Sequence, residues 1–233
     1  MYIYGKNVAR EKLKSNERIN KIFLAEKFND EEILNIIRKR KIKYNFVSNK
    51  LLDDKVQGLH QGIILDVDDV KTVDIDYIDS IKKNNPLLVM LDHLEDPHNF
   101  GAIIRTSEAL GVDGIIIPND RNVGVNSTVV KTSAGAIYNM PIIRVANLGA
   151  TITKLKNKGY WIMGTDMEGT DYTEMDYNMP ICLIIGNEGK GISKVIENQC
   201  DYMVKIPMVG NINSLNASVS CGIIIARIVA SKR

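Results

Sequence analysis

The stretch from residue 86 to residue 118 decides the fold class: PLLVMLD (86–92), GAIIRTSEALG (101–111) and GIIIP (114–118). The first and last segments are continuous apolar runs, which are typical of strands buried on both faces of a parallel sheet. The middle segment predicts a helix closed by Gly111. A buried strand, a helix and a second buried strand in this order indicate a parallel β-α-β unit.

The same alternation continues to the C-terminal end. We predict strands at 140–146, 160–166, 181–188 and 202–208, and helices around 128–136 and at 151–159, 193–200 and 214–230. Strands and helices that alternate in this way favour an open, mostly parallel α/β sheet.

The first 70 residues predict a smaller α/β unit. Its helices are expected at 7–15 and at 30–40, where Asp30 is a candidate N-cap, and its strands at 21–26, 44–48 and 62–70. Residues 71–85 are polar and charged, which indicates a short helix and a linker. We therefore divide the chain into residues 1–75, a linker of 76–84, and residues 85–233.

Composition excludes several classes of protein. Of 233 residues, 45% are hydrophobic and 25% are charged, as in ordinary globular proteins. The N-terminal sequence MYIYGKNVAREKLK has no apolar signal-peptide core, and no apolar run is long enough to span a membrane. The three cysteines lie far apart without metal-site spacing, which favours a reduced, cytoplasmic protein without a metal.

Charge is unevenly distributed, although the formal net charge is only +2. Residues 1–50 contain 13 Lys and Arg against 6 Asp and Glu, whereas residues 51–79 contain 2 against 8. The basic block is either a surface for nucleic acid or a solvated, lysine-rich helical face, and charge alone favours neither interpretation.

Three blocks contain candidate site residues, and the first is LDHLEDPHNFGAIIRTSEALG. We expect Asn99 at the end of a loop and Arg105 on the first turns of the following helix. There Arg105 can direct its donors toward the carboxyl edge of the sheet, where open α/β sheets bind ligands. The alternative is a surface arginine paired with Glu95 or Glu108.

The second block, LIIGNEGKGISKVI, is a strand that ends in a glycine-rich turn. Its glycines at 186, 189 and 191 do not fit GxGxxG, and Ile192 stands where a phosphate-binding loop needs lysine. Glu188 would repel phosphate and suits a cation or a hydroxyl donor. The alternative is a plain strand-to-helix turn.

The third block, IPMVGNINSLNASVSCGIIIARIV, is a strand, a polar loop and a helix rich in small residues. Small residues allow another helix to approach closely. That helix belongs either to a second subunit or to the same chain, and the spacing does not separate the two.

Together, NFGAIIRTSEALG, IIGNEGKGIS and IPMVGNINSLNASVS resemble the three ordered motifs of the SpoU (TrmH-type) branch of the SPOUT methyltransferases. The resemblance covers Leu88 to the C-terminus. YGKNVARE and LHQGII also resemble the family's small RNA-substrate-binding domain. Within the branch, the chain is most similar to enzymes that methylate a guanosine ribose in 23S ribosomal RNA.

The resemblance implies a fold, a cofactor and partners. The fold would be a small N-terminal α/β substrate-binding domain and a C-terminal α/β domain with a deep trefoil knot. The protein would be a homodimer that methylates ribose 2′-hydroxyls of RNA with S-adenosylmethionine and without a metal. The matching cofactor positions are Gly186, Ile206 and Leu215, and Thr165 would lie beside the adenine.

The resemblance also assigns a catalytic set: Arg105, Asn99, Glu188, Ser214 and Asn216. A guanidinium in a protein is effectively never deprotonated, so we expect Arg105 to hold a phosphate or to lower the pKa of the hydroxyl. Asn99 and Asn216 are expected to orient Arg105 and the ribose. Glu188 would either pair with Arg105 or accept a proton.

Other interpretations stay open at this stage. The chain could be an RNA-binding protein that keeps the fold without catalysis, a tRNA ribose methyltransferase, or a resistance-type enzyme acting on a ribosomal RNA adenosine. His60, His93 and His98 are expected to be structural or surface residues, although His98 adjoins Asn99 and could contact RNA.

Overall fold

The computed structural model describes residues 1–15, 18–211 and 214–232. The N-terminal part is a four-stranded sheet with three helices. Its elements are β1 (Tyr2–Tyr4), α1 (Lys6–Lys14), β2 (Ile19–Ala25), α2 (Glu31–Lys39), β3 (Tyr44–Val47), α3 (Asn49–Lys55) and β4 (Ile63–Val67).

The N-terminal sheet has the strand order β1-β4-β2-β3 and is covered on both faces. Alternate residues of β2 point to opposite faces, so Ile22 and Leu24 join the core under α1 and α2, while Phe23 packs with Leu52 of α3. The side chain of Asp30 accepts a hydrogen bond from the backbone N–H of Ile33, which confirms the predicted N-cap of α2.

The C-terminal part is a six-stranded sheet flanked by helices. Its strands are β5 (Leu87–Leu91), β6 (Gly114–Pro118), β7 (Ile142–Val145), β8 (Trp161–Asp171), β9 (Ile181–Ile185) and β10 (Tyr202–Lys205). Its helices are α4 (Pro97–Ala109), α5 (Ser127–Thr132), α6 (Leu148–Asn157), α7 (Lys194–Glu197) and α8 (Ala217–Ser231), with a short 3₁₀ turn at Ala136–Tyr138.

All neighbouring strands of this second sheet are parallel, in the order β10-β8-β9-β5-β6-β7. The predicted parallel α/β sheet is therefore confirmed. The chain builds outward from β5 through β6 and β7, and then returns to the other side of β5. The strand order therefore reverses between β5 and β9, and open α/β sheets bind ligands outside the carboxyl ends of strands at such a point.

The segment between the two sheets packs against the second one. Residues Ile75–Ser80 form a 3₁₀ helix, and Ile78 is buried in the core beneath β7. Val73 forms a parallel bridge with Ile143. Part of the segment predicted as a linker thus has apolar contacts of its own.

The two parts of the chain meet through α1 and β1 on one side and residues 127–138 on the other. The ammonium of Lys131 lies 5.0 Å from the ring centre of Tyr4. Gly135 lies so close to Glu11 that a Cβ atom there would be 2.4 Å from the Glu11 Cβ. The N-terminal sheet is therefore packed against the second one rather than merely tethered to it.

Helix α4 begins four residues earlier than the sequence predicts. Asp96 caps the helix by accepting the backbone N–H of His98, and Pro97 occupies its first turn, where a missing N–H costs nothing. Asn99 and Gly101 thus lie inside the helix, and the prediction that Asn99 ends a loop is wrong. Gly101 allows a close helix crossing, because a Cβ atom there would be 2.6 Å from Thr132 Cβ.

No helix of the described residues is long and apolar enough to cross a membrane. The same residues contain no group of three His, Cys, Asp or Glu side chains placed to hold a metal ion. The three cysteines are free. Burial raises the pKa of the Cys182 and Cys221 thiols, so both side chains pack as small neutral groups.

Candidate active site

The turn after β5 and the loop after β9 are joined at the point where the strand order reverses. Asp92, 1% exposed, accepts a hydrogen bond from the backbone N–H of Ser193 at 2.7 Å. Its other oxygen lies 2.5 Å from Nδ1 of His93. No role for Asp92 follows from the sequence, because only the folded chain brings residue 193 beside it.

The loop after β9 is held in shape by its own backbone and by Asn187. Asn187 and Gly191 exchange two backbone hydrogen bonds of 3.0 and 2.9 Å. The Asn187 side chain donates to the carbonyl of His93 at 2.9 Å and accepts the N–H of Gly189 at 3.0 Å. Asn187, which the sequence analysis did not assign, therefore ties this loop to the turn after β5.

Gly186 is buried where the loop closes on itself. A Cβ atom at Gly186 would lie 2.2 Å from the carbonyl carbon of Gly191 and 2.4 Å from the nitrogen of Ile192. Both obstacles are backbone atoms, so no side chain can move aside to make room. Gly186 is thus required by a close backbone approach within the loop.

A chain of side-chain hydrogen bonds joins the three sequence blocks. Nδ2 of Asn99 donates to Oε1 of Glu188 at 3.0 Å, and Nδ2 of Asn216 donates to Oδ1 of Asn99 at 2.9 Å. Asn216 in turn caps α8, since its Oδ1 accepts the N–H of Ser218 at 2.9 Å. Each amide is therefore oriented by its neighbours: a carboxylate only accepts, and the N-terminus of a helix only donates.

Arg105 lies two turns along α4 from Asn99 and is exposed. Among residues 1–15, 18–211 and 214–232, it forms neither a hydrogen bond nor an ion pair. It contacts neither Glu95 nor Glu108, so the alternative of a paired surface arginine is not what the structure shows. Glu188 pairs with Asn99 instead of Arg105, and the guanidinium is left available to a ligand.

Three of the four predicted cofactor residues, Thr165, Gly186 and Ile206, lie within β8 or directly after β9 and β10, and these three strands are neighbours in the sheet. Oγ1 of Thr165 donates to the carbonyl of Ile184 at 3.4 Å, two residues before Gly186. The ladder between β10 and β8 passes from the pair Met203–Gly164 to the pair Val204–Thr170, so residues 165–169 bulge out of the sheet. Ile206, half-buried, follows β10 directly.

Ser214 and Leu215 precede Asn216 on the exposed segment before α8. Leu215 is 37% exposed. The sequence block around them, residues 206–216, also includes Ile212 and Asn213, which lie outside the described residues.

The three histidines have different surroundings. His60 accepts the backbone N–H of Gly62 at Nδ1, 2.9 Å away, and its Nε2 lies 3.0 Å from Asp53, so it holds a turn as expected. His93 is held by Asp92. His98 is exposed, and the one described hydrogen bond of its side chain joins Nδ1 to Oγ1 of Thr132 at 3.5 Å.

Two family models match the chain. The one described as the SpoU rRNA Methylase family covers residues 86–226, and the one described as RNA 2'-O ribose methyltransferase substrate binding covers residues 2–73. The chain belongs to the SpoU rRNA methylase family. This confirms the resemblance of the three motifs to the family. It also confirms the predicted RNA methyltransferase and its α/β-knot fold. The deep knot itself follows from the family membership.

Relatives of this SpoU family member share most of its length. YacO, a TrmH family tRNA/rRNA methyltransferase of Bacillus subtilis, is 41% identical over 230 residues, which are 96% of this chain and 92% of YacO.

Solved structures show the same fold. The AdoMet-bound rRNA methyltransferase of Sinorhizobium meliloti superposes with a TM-score of 0.79 at 24% identity, over 97% of this chain and 85% of that one. The TrmH/SpoU tRNA modifying enzyme of A. aeolicus is 32% identical, with a TM-score of 0.58, over 65% of this chain and 77% of that one.

The closed geometry of the loop after β9 leads to a prediction. Gly186→Ala places Cβ against the backbone of residues 191 and 192, so we expect a loss of about 2 kcal/mol in the free energy of unfolding. In a chain of this size, that is a fall of about 4–8 °C in Tm by calorimetry.

Gly189→Ala is the matched control in the same loop. A Cβ atom at Gly189 meets nothing closer than Asn187 Oδ1 at 3.7 Å, so its Tm should stay within about 1 °C of wild type. Equal behaviour of the two variants would contradict the role given to Gly186.

Proposed function

We propose that this protein transfers a methyl group from S-adenosylmethionine to a ribose 2′-hydroxyl of RNA. The observation that carries the proposal is the hydrogen-bonded chain Glu188–Asn99–Asn216. It brings the three family motifs together at the carboxyl edge of the sheet, with the unpaired Arg105 two turns away.

The residues at this edge fit the cofactor, which is bound in the Sinorhizobium relative. Ile206 and Leu215 offer apolar surface, and Thr165 on β8 lies between the end of β10, where Ile206 is, and the end of β9, where Gly186 is. Glu188 supplies a carboxylate near this edge, and a carboxylate suits a ligand that carries a sulfonium charge. S-adenosylmethionine supplies a methyl group that is already activated by this positive charge, so the donor needs no metal.

The difficult partner in the reaction is the ribose hydroxyl, a poor nucleophile at neutral pH. Arg105 is permanently charged, and its planar fork of donors matches a phosphate. We assign it to the RNA side, where it holds the phosphate next to the target ribose and stabilises negative charge that develops on the hydroxyl oxygen. Positioning of this kind can supply a large part of the rate.

The hydrogen-bonded chain leaves two groups for the substrate. Both described bonds to Glu188, from Asn99 and from the N–H of Asp96, use Oε1, so Oε2 is open to a hydroxyl donor. Ser214 is exposed beside Asn216. We propose that Asn99 and Asn216 act as positioning residues that hold Glu188 and the start of α8 in register, and that Glu188 and Ser214 face the ribose. As the O–CH3 bond forms and the S–CH3 bond breaks, Oε2 of Glu188 accepts the hydroxyl proton and the neutral thioether S-adenosylhomocysteine leaves.

The match to an rRNA enzyme extends further along the chain than the match to a tRNA enzyme. The Sinorhizobium rRNA methyltransferase shares the fold over 97% of the chain, whereas the A. aeolicus tRNA modifying enzyme covers 65%. The N-terminal part is thus shared with the rRNA enzyme. This supports ribosomal RNA as substrate, and we propose a guanosine of 23S rRNA as the target.

Ribose-methylation mapping of total RNA tests the substrate. A strain lacking this gene should lose one 2′-O-methylguanosine in 23S rRNA, and a plasmid copy should restore it. Loss of a tRNA site, or of an rRNA adenosine, would replace the proposed target with that one. An unchanged map of rRNA and tRNA would contradict methyl transfer and favour a non-catalytic RNA-binding protein.

Substitution of Arg105 tests its role. Arg105→Ala should lower the single-turnover rate of methyl transfer by about 100-fold or more, as removal of a charge-stabilising donor does, with cofactor affinity by calorimetry nearly unchanged. Arg105→Lys should recover only part of the rate, because it keeps the charge but loses the fork.

The matched control for Arg105 is Glu108→Gln on the same helix, also exposed and expected to keep wild-type turnover. If Arg105→Ala loses cofactor affinity along with turnover, its assignment to the RNA side is wrong.

We also propose a homodimer. Exposed apolar side chains cluster on the segment before α8 and on its first turn: Met208, Val209, Leu215 and Val219. They adjoin Asn216 and the run of small residues in α8, so one surface could serve both the cofactor and a second subunit. Light scattering after gel filtration should give twice the mass of 26.1 kDa for the wild type. Val219→Glu should shift the mass toward the monomer, and a wild type that is monomeric at 10 μM would contradict the dimer.

A further inference from the structure

The far edge of the N-terminal sheet exposes two aromatic rings. Tyr44 is 37% exposed and Phe46 is 52% exposed, and both lie on β3, whose outer edge pairs with no described strand. Their ring centres are 5.7 Å apart in an edge-to-face arrangement. Neither the sheet core nor the active site accounts for these rings, since the α2 side of the sheet is closed by aliphatic residues.

Exposed lysines precede β3 in the chain and have no acidic partners among the described residues. Lys39, Lys41 and Lys43 are exposed, and none forms an ion pair within the described part of the chain. Arg40 differs from them, because its guanidinium donates to the carbonyls of Leu13 and Ser15 and so fixes the end of α1. The lysines therefore form a local positive charge that the fold does not use.

Tyr44 shares a groove with two of these lysines, Lys41 and Lys43. This shallow, open groove of about 550 Å³ is lined by Ile37, Arg38, Lys41, Lys43, Tyr44 and Asn45. Arg38 is partly neutralised by Glu31 at 3.7 Å, so most of the positive charge comes from the lysines. A concave surface with an aromatic wall and a cationic rim suits a flat, anionic polymer.

We propose that Lys39, Lys41, Lys43, Tyr44 and Phe46, here called the β3 patch, bind unpaired RNA outside the catalytic centre. Lysine ammonium groups neutralise phosphates, and exposed rings stack on bases that are not already stacked in a duplex. This combination is specific to single strands, because paired bases offer no free face to a ring. The proposal rests on the proposed function only in taking RNA as the substrate.

The position of the β3 patch defines what it can contribute. Strand β1 faces the methyltransferase part through α5, and β3 is at the opposite edge of the same sheet, three strand spacings or about 14 Å further out. A residue there is too far from Asn99 and Arg105 of its own chain to touch a ribose bound beside them. The β3 patch therefore adds affinity for a neighbouring stretch of the same RNA and takes no part in the chemistry.

Fluorescence anisotropy with a labelled 12-nucleotide oligouridine tests the β3 patch in the full chain. The double variant Tyr44→Ala, Phe46→Ala should bind about tenfold or more weakly than wild type, as loss of base stacking predicts. The matched control is Tyr202→Ala. Tyr202 is also 37% exposed and stacks on Trp161 at 5.5 Å, but it lies at the amino end of the large sheet beside Asp201. The Tyr202→Ala variant should bind the oligouridine as tightly as wild type does.

A second variant keeps the test valid if the aromatic one is unstable. The double variant Lys41→Ala, Lys43→Ala should bind the oligouridine less tightly than wild type. Its slope of log affinity against log salt should be smaller by about 1.4, because it makes two fewer phosphate contacts with the single strand. Lys82→Ala, an exposed lysine outside the patch, should leave the slope unchanged. A 12-base-pair duplex should bind the wild type and the aromatic variant equally.

The outcomes separate this proposal from the proposed function. If wild type methylates RNA and both patch variants bind oligouridine like wild type, the patch is overturned and the function stands. If the patch variants lose oligouridine binding and no RNA accepts a methyl group, the patch stands and the function fails. If Phe46→Ala instead converts a dimer to a monomer in light scattering, β3 is a subunit edge and the RNA proposal is overturned.

Discussion

The bond between Asn99 and Asn216 is the interaction on which the arrangement of the active site depends. It connects the first turn of α4 to the N-terminus of α8, across 117 residues of sequence, and Glu188 extends it to the loop after β9. Asn99 is only 6% exposed, and a buried amide without a partner costs more free energy than a satisfied one gains. The three segments are therefore stable together in one relative position, which is what a reaction between two bound molecules needs.

Features of α4 and of the loop after β9 establish this relative position of the three segments. Asp96 and Pro97 start α4 early enough to place Asn99 in its first turn. Gly186 lets the loop after β9 fold back on residues 191 and 192, and Asn187 ties that loop to His93. The first two features are local in sequence, whereas the bond from Asn187 to His93 spans 94 residues. They meet at one edge because β5 and β9 are parallel neighbours whose carboxyl ends coincide.

Affinity for RNA and chemistry on RNA are assigned to different surfaces of the chain. Arg105 has no partner among the described residues and lies two turns along α4 from Asn99. The unpaired lysines and exposed rings lie instead at the far edge of the N-terminal sheet. A long anionic substrate can contact both at once, so binding energy gained at a distance can help to position one ribose. Packing of α1 and β1 against α5 holds the two parts of the chain together while this happens.

Sequence determined the alternation of buried strands and helices, the three motif blocks and the family, because periodicity and residue type are local properties that survive without coordinates. It placed Asn99 at the end of a loop, because the capping role of Asp96 competes with several similar polar residues nearby. It assigned no role to Asp92 or Asn187, whose partners are about 100 residues away in the chain. Only the tertiary structure decided that Glu188 pairs with Asn99 instead of Arg105, and that Tyr44 and Phe46 are exposed at an edge. Both depend on which strands become neighbours, and hydrogen-bond partners and sheet edges exist only once the chain has folded.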